Sequence, residues 1–268
     1  MKKIIKSIFL RGYSPIYYLK KYSNIFPLFF KIVEKNKNVN NEIISLQNNG
    51  YVILKSNEKL LQQAYKKCNL LAQGHKINYN KKGKSFWNII LKNEELIKFD
   101  EINNYVTNSF FIDLAQAYLN SKPVLANVDL IISFPNDQPI NHSQMWHLDA
   151  DDTKICTFYL YCSDVDKNSG PFKLAPKNKS KNKIIPKWFR KYGYMNDYFF
   201  KSICAAADIK ELTGKSKFEF VCDTANTYHC GSYCIRNTRL VLTFRYVSES
   251  PLYNLSEWSK NFNLKKNE

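Results

Sequence analysis

"RLVLTFRYV", residues 239–247, is a run rich in β-branched and aromatic side chains, entered from the turn-like "IRNT" at 235–238. These features predict a strand, and the fold class turns on that assignment. Four runs of similar character precede it: "VLANVDLIISF" (124–134), "KICTFYLYCSDV" (154–165), "PFKLAP" (171–176) and "KFEFVCD" (217–223). Short β-rich runs separated by turn residues predict an antiparallel sandwich or barrel, not alternating βαβ units. One stretch interrupts them, "PKWFRKYGYMNDYFFKSICAAADIKEL" (186–212), which reads as a helical insert.

Before Pro123 the pattern is different. "NEIISLQNNG" reads as a helix stopped near Asn48-Asn49-Gly50, and the short strand "YVIL" should follow it. "NEKLLQQAYKKCNLLAQ" (57–73) has helical apolar spacing, and a further helix is expected across 99–120, ended by Lys122-Pro123. Residues 74–90 are polar and read as a loop. The expected class is α+β, mainly β, with a helical N-terminal half bracing a C-terminal barrel. The boundaries are a basic aromatic arm at 1–41, one folded unit at 42–250 and a polar tail at 251–268.

Composition narrows the function classes. Apolar residues make up 44% and aromatic residues 15% of 268 positions, so the chain can bury a full core. Forty Lys and Arg against 23 Asp and Glu give a formal charge of +17. That charge points either to an anionic partner or to a general compositional bias toward Lys and Asn. Its lysines are dispersed, and no helix-turn-helix, zinc-finger or RNP-type signature is present, so no nucleic-acid partner is expected. Seven cysteines at irregular spacing form no Cys-x-x-Cys pair, which suits free thiols in a reducing cytoplasm. The N-terminal arm has no apolar run long enough to span a bilayer. It either packs on the main domain or offers a basic surface for peripheral membrane or partner contact.

The chemistry-bearing residues lie in the β-rich half. In "MWHLDADD" (145–152), His147 and Asp149 are two apart, so an extended strand projects both to one face. His229, in "CDTANTYHCGSYCIRNTRLVLTFRY", is the third candidate. Two histidines and a carboxylate on one side of a metal form the facial triad of non-haem Fe(II) oxygenases, with positions left open for cosubstrates. Ten residues after His229, Arg239 offers a planar fork suited to a carboxylate, with Arg236 the competitor in the preceding turn. Arg245 reads as structural or exposed. Asp151 and Asp152 read as solvated turn residues or helpers to Lys154, and His142 as a surface or substrate-access residue. His75 reads as an exposed loop histidine, and Lys84 and Trp87 as candidate substrate contacts.

Three blocks carry a family resemblance: "WHLDADD" (146–152), "FYLYCSDVDKNSGPFKLAPKNKS" (158–180) and "DTANTYHCGSYCIRNTR" (223–239). Together with the earlier "NNGYVIL", they are similar to the phytanoyl-CoA dioxygenase family of Fe(II)/2-oxoglutarate oxygenases, across roughly residues 42–248. The resemblance implies a double-stranded β-helix (jelly-roll, cupin-like) core with His147, Asp149 and His229 as iron ligands. It further implies Arg239 as the 2-oxoglutarate anchor and Tyr159 as an aromatic residue lining the cosubstrate pocket. The implied reaction takes Fe(II), 2-oxoglutarate and O2, and hydroxylates an unactivated C–H of a small organic substrate, with succinate and CO2 as co-products. Asp149 speaks against halogenation, which leaves that metal position for chloride. The chain departs from the family pattern after the Gly-Pro segment, where "PKNKS" lacks Gly and His. A jelly-roll protein that binds a ligand without turnover is the alternative class.

Overall fold

The computed structural model describes residues 39–76, 87–136, 139–140, 142–179, 194–252 and 254–262. Most of the N-terminal arm, Lys84 and the first part of the expected helical insert therefore lie outside the described residues. Among the described residues no helix is long and apolar enough to cross a membrane.

The core is two antiparallel sheets. The six-stranded sheet runs in the order β1 (Tyr51–Ile53), β9 (Glu219–Asp223), β5 (Cys156–Tyr161), β11 (Arg239–Ser248), β3 (Pro123–Ser133), β2 (Trp87–Lys92). A five-stranded sheet follows the order β7 (Tyr194–Met195), β4 (Trp146–His147), β10 (Tyr228–Gly231), β6 (Phe172–Ala175), β8 (Lys210–Leu212). All pairings are antiparallel. Strands adjacent in space are seldom adjacent in sequence, as in a jelly roll.

Period two along β11 explains why this strand organises the molecule. Leu240, Leu242, Phe244 and Tyr246 point outward into the main apolar cluster, where the helices cover the sheet. Phe244 stacks on Phe158 with ring centroids 4.8 Å apart and meets Phe111 edge-on at 5.2 Å. Arg239, Val241, Thr243 and Arg245 point the other way, into the space between the sheets. That space is closed at one end by Tyr161, Phe172, Leu174, Leu212, Phe220, Cys222 and Val241.

The covering helices follow from ordinary signals. α1 (Asn40–Asn48) stops at Asn49-Gly50 as expected. Gly50 has φ +83°, and a Cβ there would lie 2.0 Å from Thr227 Oγ1, so no other residue fits. α2 (Glu58–Gln73) is capped by Asn57, whose side chain accepts from the backbone N–H groups of Lys59 and Leu60. The expected single helix over 99–120 is divided into α4 (Asp100–Val106) and α5 (Ser109–Leu119), preceded by a short α3 (Glu94–Ile97). The break is a second cap: Asn108 accepts from Phe110 N–H and restarts the helix.

Two further expectations fail. Residues 87–90 are not loop but the start of β2, because the edge of β3 offers this branched segment a ladder. The described part of the insert is not one helix. Residues 194–195 form β7 against β4, 197–200 form the four-residue α6, 206–208 a 3₁₀ turn and 210–212 the strand β8. Tertiary contacts override local propensity there: Phe200 stacks on Trp146 at 4.0 Å, and Trp146 Nε1–H donates to Asp197 at 2.7 Å. At the C-terminal end, α7 (Glu257–Asn261) packs on the barrel through buried Trp258 and a Ser259 Oγ–H donated to the Ala126 carbonyl. All seven cysteines are buried free thiols.

Candidate metal centre and its cavity

His147 and His229 face each other directly across the β4–β10 pair, their ring centroids 4.2 Å apart. Each ring is fixed by the same local device. His147 Nδ1 lies 2.8 Å from the Met145 carbonyl, and His229 Nδ1 lies 3.0 Å from the Thr227 carbonyl, two residues back in each case. A carbonyl only accepts, so Nδ1 carries the proton and the lone pair is left on Nε2. Both imidazoles thus present Nε2 to the same space.

β4 is only two residues long, so Asp149 lies beyond it. Its backbone N–H donates to the Thr224 carbonyl at 2.9 Å, and its Oδ1 sits 3.8 Å from His147 Nε2. One ligand atom from each of His147, Asp149 and His229 lies within 4.8 Å of the others. Electrostatics keep the set ready for a cation. Burial, and then the neighbouring His147, push the His229 pKa down to about 3, so its ring is neutral at pH 7. For Asp149, burial alone would raise the carboxyl. The Arg245 guanidinium, with His229 and His147, outweighs this and holds it well below the usual carboxylate range. The neutral imidazole of His229 and the ionised carboxylate of Asp149 are protonation states that suit a divalent metal.

The three residues open onto a cavity of about 330 Å³. Arg239 lines it, as does Tyr159, which stacks on Phe220 at 4.6 Å and tilts against Phe172 at 4.8 Å. Arg239 donates to the Gly170 carbonyl and, at 3.3 Å, to Ser133 Oγ. Gly170 holds φ +68°, and a Cβ on it would meet the Ser232 carbonyl at 2.6 Å, which accounts for the glycine of the Gly-Pro segment. Arg236 is exposed in the preceding turn, with its backbone N–H donated to Asn168, and lies outside the cavity wall. Trp87 lines the cavity at the start of β2, opposite Ser133. His142 is exposed and meets Tyr194 edge-on at 6.0 Å; His75, half-buried at the end of α2, is remote from the site.

Of the two readings of Arg245 the structural one holds and the exposed one does not: it is half-buried, lines the cavity and donates to Asp149 Oδ2 at 2.9 Å and to Asp151. Two further expectations are corrected. Asp152 is not solvated but buried, accepting from the Ser248 N–H and hydroxyl and from Thr153 N–H. Neither carboxylate serves Lys154, whose ammonium donates to the Tyr118 carbonyl at 2.9 Å and lies over the Tyr118 ring. The signal for Arg245 is present in the sequence. It stands six positions after Arg239, and an even spacing on a strand means the same face. Asn127, Asp129, Thr157 and Thr243 also line the cavity and carry no local motif.

No family model matches the chain and no curated protein matches it in sequence. Solved structures match it in fold. EctD from S. alaskensis with bound Fe aligns with a TM-score of 0.59 at 12% identity, over 86% of this chain and 86% of that one. The non-heme alpha ketoglutarate dependent epimerase SnoN from nogalamycin biosynthesis aligns with a TM-score of 0.57 at 10% identity, over 80% of this chain and 84% of that one. The carbocyclase SnoK from nogalamycin biosynthesis, also non-heme and alpha ketoglutarate dependent, aligns at 0.52 and 10%, over 79% and 85%. At these identities the likeness establishes the jelly-roll fold.

Proposed function

We propose that the chain is an Fe(II)- and 2-oxoglutarate-dependent oxygenase that hydroxylates a C–H bond of a small organic substrate. His147, Asp149 and His229 would hold the iron, and Arg239 would anchor the far carboxylate of 2-oxoglutarate, with Tyr159 beside it. The observation that carries the reading is Arg239. It lines the same cavity as the His-Asp-His cluster, has no carboxylate partner among the described residues, and its buried Nε has no hydrogen-bond partner. A guanidinium left uncompensated in a closed wall suits an anionic ligand with a planar carboxylate.

The bound metal would supply the redox chemistry that converts 2-oxoglutarate and O2 into succinate, CO2 and an oxidised product. The residues' share is geometric. His147, Asp149 and His229 would hold the metal through three ligands and leave positions for exchangeable groups. The backbone acceptors at Met145 and Thr227 fix both rings, and the Asp149 carboxylate stays ionised. Phe172, Tyr159, Val241 and Ile131 provide the apolar part of the cavity wall, which would limit water beside the reacting centre. The names of the fold relatives, an epimerase and a carbocyclase among them, support the metal and cosubstrate more than any one outcome. The cavity of about 330 Å³ must hold the cosubstrate as well, so the reacting part of the substrate is small. A preference for an anionic substrate rests on the chain's +17 charge.

The direct test is succinate release. Protein supplied with Fe(II), 2-oxoglutarate and air should form succinate slowly even without its substrate, and faster with it. His147→Ala should lose both. A well-folded protein that forms no succinate with any of a broad panel of small substrates would favour ligand binding without turnover.

A further inference from the structure

We propose that Arg245 is a positioning residue that makes Asp149 a one-oxygen metal donor and pins the 149–152 turn to the barrel wall. This rests on the metal-centre reading above. The two carboxylate oxygens of Asp149 are already divided in the structure: Oδ2 accepts from Arg245 Nη2 at 2.9 Å, while Oδ1 faces His147 Nε2 at 3.8 Å. With Oδ2 engaged, only Oδ1 is offered to a cation, and bidentate ligation, which would use up a position meant for an exchangeable group, is opposed.

Asp149 stands outside the strand ladder, where Thr224 fixes its backbone and also bonds its carboxylate, and Arg245 adds the charged partner. β4 ends at His147, and the next residues, Leu148 to Lys154, belong to no strand. Arg245 stands by contrast within the ten-residue β11, paired with Thr157 of β5 on one side and Asn127 of β3 on the other. The register irregularity between Arg245 and Tyr246 lies on the β3 side, where Ala126 is left unpaired in the ladder, so β11 itself carries Arg245 without a bulge. The other arm of the guanidinium holds Asp151, so one fork spans two carboxylates of the same turn. That arrangement suits a site that gains a metal. If the cation draws charge from Asp149, Arg245 keeps Asp151 and is not left as an unpaired buried charge.

Arg245 also lines both the metal cavity and a second one of about 210 Å³, whose wall includes Asn127, Asp151, Asn254 and Leu255. Truncation to alanine would widen the connection between the two spaces and confuse the outcome. The test therefore uses Arg245→Gln, Arg245→Lys and Asp151→Asn, each titrated with Co(II) alone under argon and read by competition with a chromogenic chelator and by the cobalt ligand-field spectrum. Arg245→Gln should weaken Co(II) binding about 10- to 100-fold, the usual effect of removing a partner of a ligand. It should also change the spectrum, because the freed Oδ2 alters the donor set. Arg245→Lys, a point charge without the fork, should fall between Arg245→Gln and wild type. Asp151→Asn should shift affinity by only a few-fold, since the bond to Asp149 survives.

A folded Arg245→Gln with wild-type affinity and spectrum would overturn the proposal. Should that variant not fold, Arg245→Lys decides the matter, and wild-type affinity and spectrum there would overturn it equally. Failure of the wild-type protein itself to bind Co(II), at a concentration where His229→Ala also does not, would instead overturn the metal-centre reading, and this proposal with it.

Discussion

Arg239 and Arg245 project from one face of the same strand into one cavity, yet only Arg245 is answered by carboxylates. Arg239 donates to a carbonyl and a hydroxyl, Arg245 to Asp149 and Asp151. On the proposed function this asymmetry separates two roles: Arg239, without a carboxylate partner among the described residues, would meet a ligand, and Arg245 is committed to the site's own architecture.

Replacing Arg239 should therefore affect ligand affinity more than folding. Charged hydrogen bonds of this kind are worth about 1.5–3 kcal/mol. Arg239→Gln should accordingly raise the dissociation constant for 2-oxoglutarate by about 10- to 150-fold in the metal-loaded protein. Calorimetric titration checks this. Co(II) affinity and thermal midpoint should stay close to wild type, because no carboxylate is orphaned.

Gly170 should behave as part of the same subsite although it carries no side chain. Its φ is positive, and a Cβ at this position would lie 2.6 Å from the Ser232 carbonyl oxygen, which leaves no room for alanine. The carbonyl that Arg239 uses belongs to this residue. Gly170→Ala should lose about 1–2 kcal/mol of stability from the left-handed backbone alone, measured by urea unfolding, and should weaken 2-oxoglutarate binding along with it.

How much of this is legible in the sequence varies by element. The strands carrying Arg239 and Tyr159 stand out because branched and aromatic runs are bounded by turn residues, and the His-x-Asp spacing brings two of the three clustered residues together. The four-residue strand of His229, YHCG, has no such run and is not legible as a strand. Arg245 belongs to no motif, and only the parity rule that places 239 and 245 on one face of a strand reveals its role. β2 and β7 are not legible for a different reason. Trp87–Lys92 and Tyr194–Met195 become strands only because β3 and β4 offer them partners. The break at Asn108 is a readable cap, masked by the strongly apolar helical run around it.

Asp223 should be the most sensitive position away from the metal centre. Its carboxylate is fully buried and accepts from Tyr118 Oη at 2.5 Å, Lys177 Nζ at 2.6 Å, Asn226 Nδ2 at 2.9 Å and Ile155 N at 3.2 Å. Removing one member of a buried ion pair leaves the other uncompensated, at about 3–5 kcal/mol. Asp223→Ala should lower the thermal midpoint by roughly 10 °C, at about 2–4 °C per kcal/mol for a domain of this size. Differential scanning calorimetry decides it.

Alkaline pH should unfold the protein through its buried phenols. Burial, and then the nearby carboxylates of Glu219 and Asp223, push the Tyr105 and Tyr118 hydroxyls well above the ordinary tyrosine value. A raised folded-state pKa means the unfolded chain loses its proton first. The stability these residues contribute is complete below the unfolded value near 10 and falls as pH rises past it. Each should contribute a slope of up to about 1.4 kcal/mol per pH unit there. Urea midpoints between pH 9 and pH 11 should fall for the wild type and fall less steeply for Tyr105→Phe.

That His147, Asp149 and His229 hold an iron sharing its cavity with 2-oxoglutarate can be tested in one experiment. The metal-free protein is titrated anaerobically, first with Fe(II) and then with 2-oxoglutarate, and followed by visible absorption. The expected result is a weak charge-transfer band that needs both components, saturates at one of each per chain, and is absent in His229→Ala. Folded wild-type protein that shows no band with both present, or a band that survives in His229→Ala, would contradict the assignment.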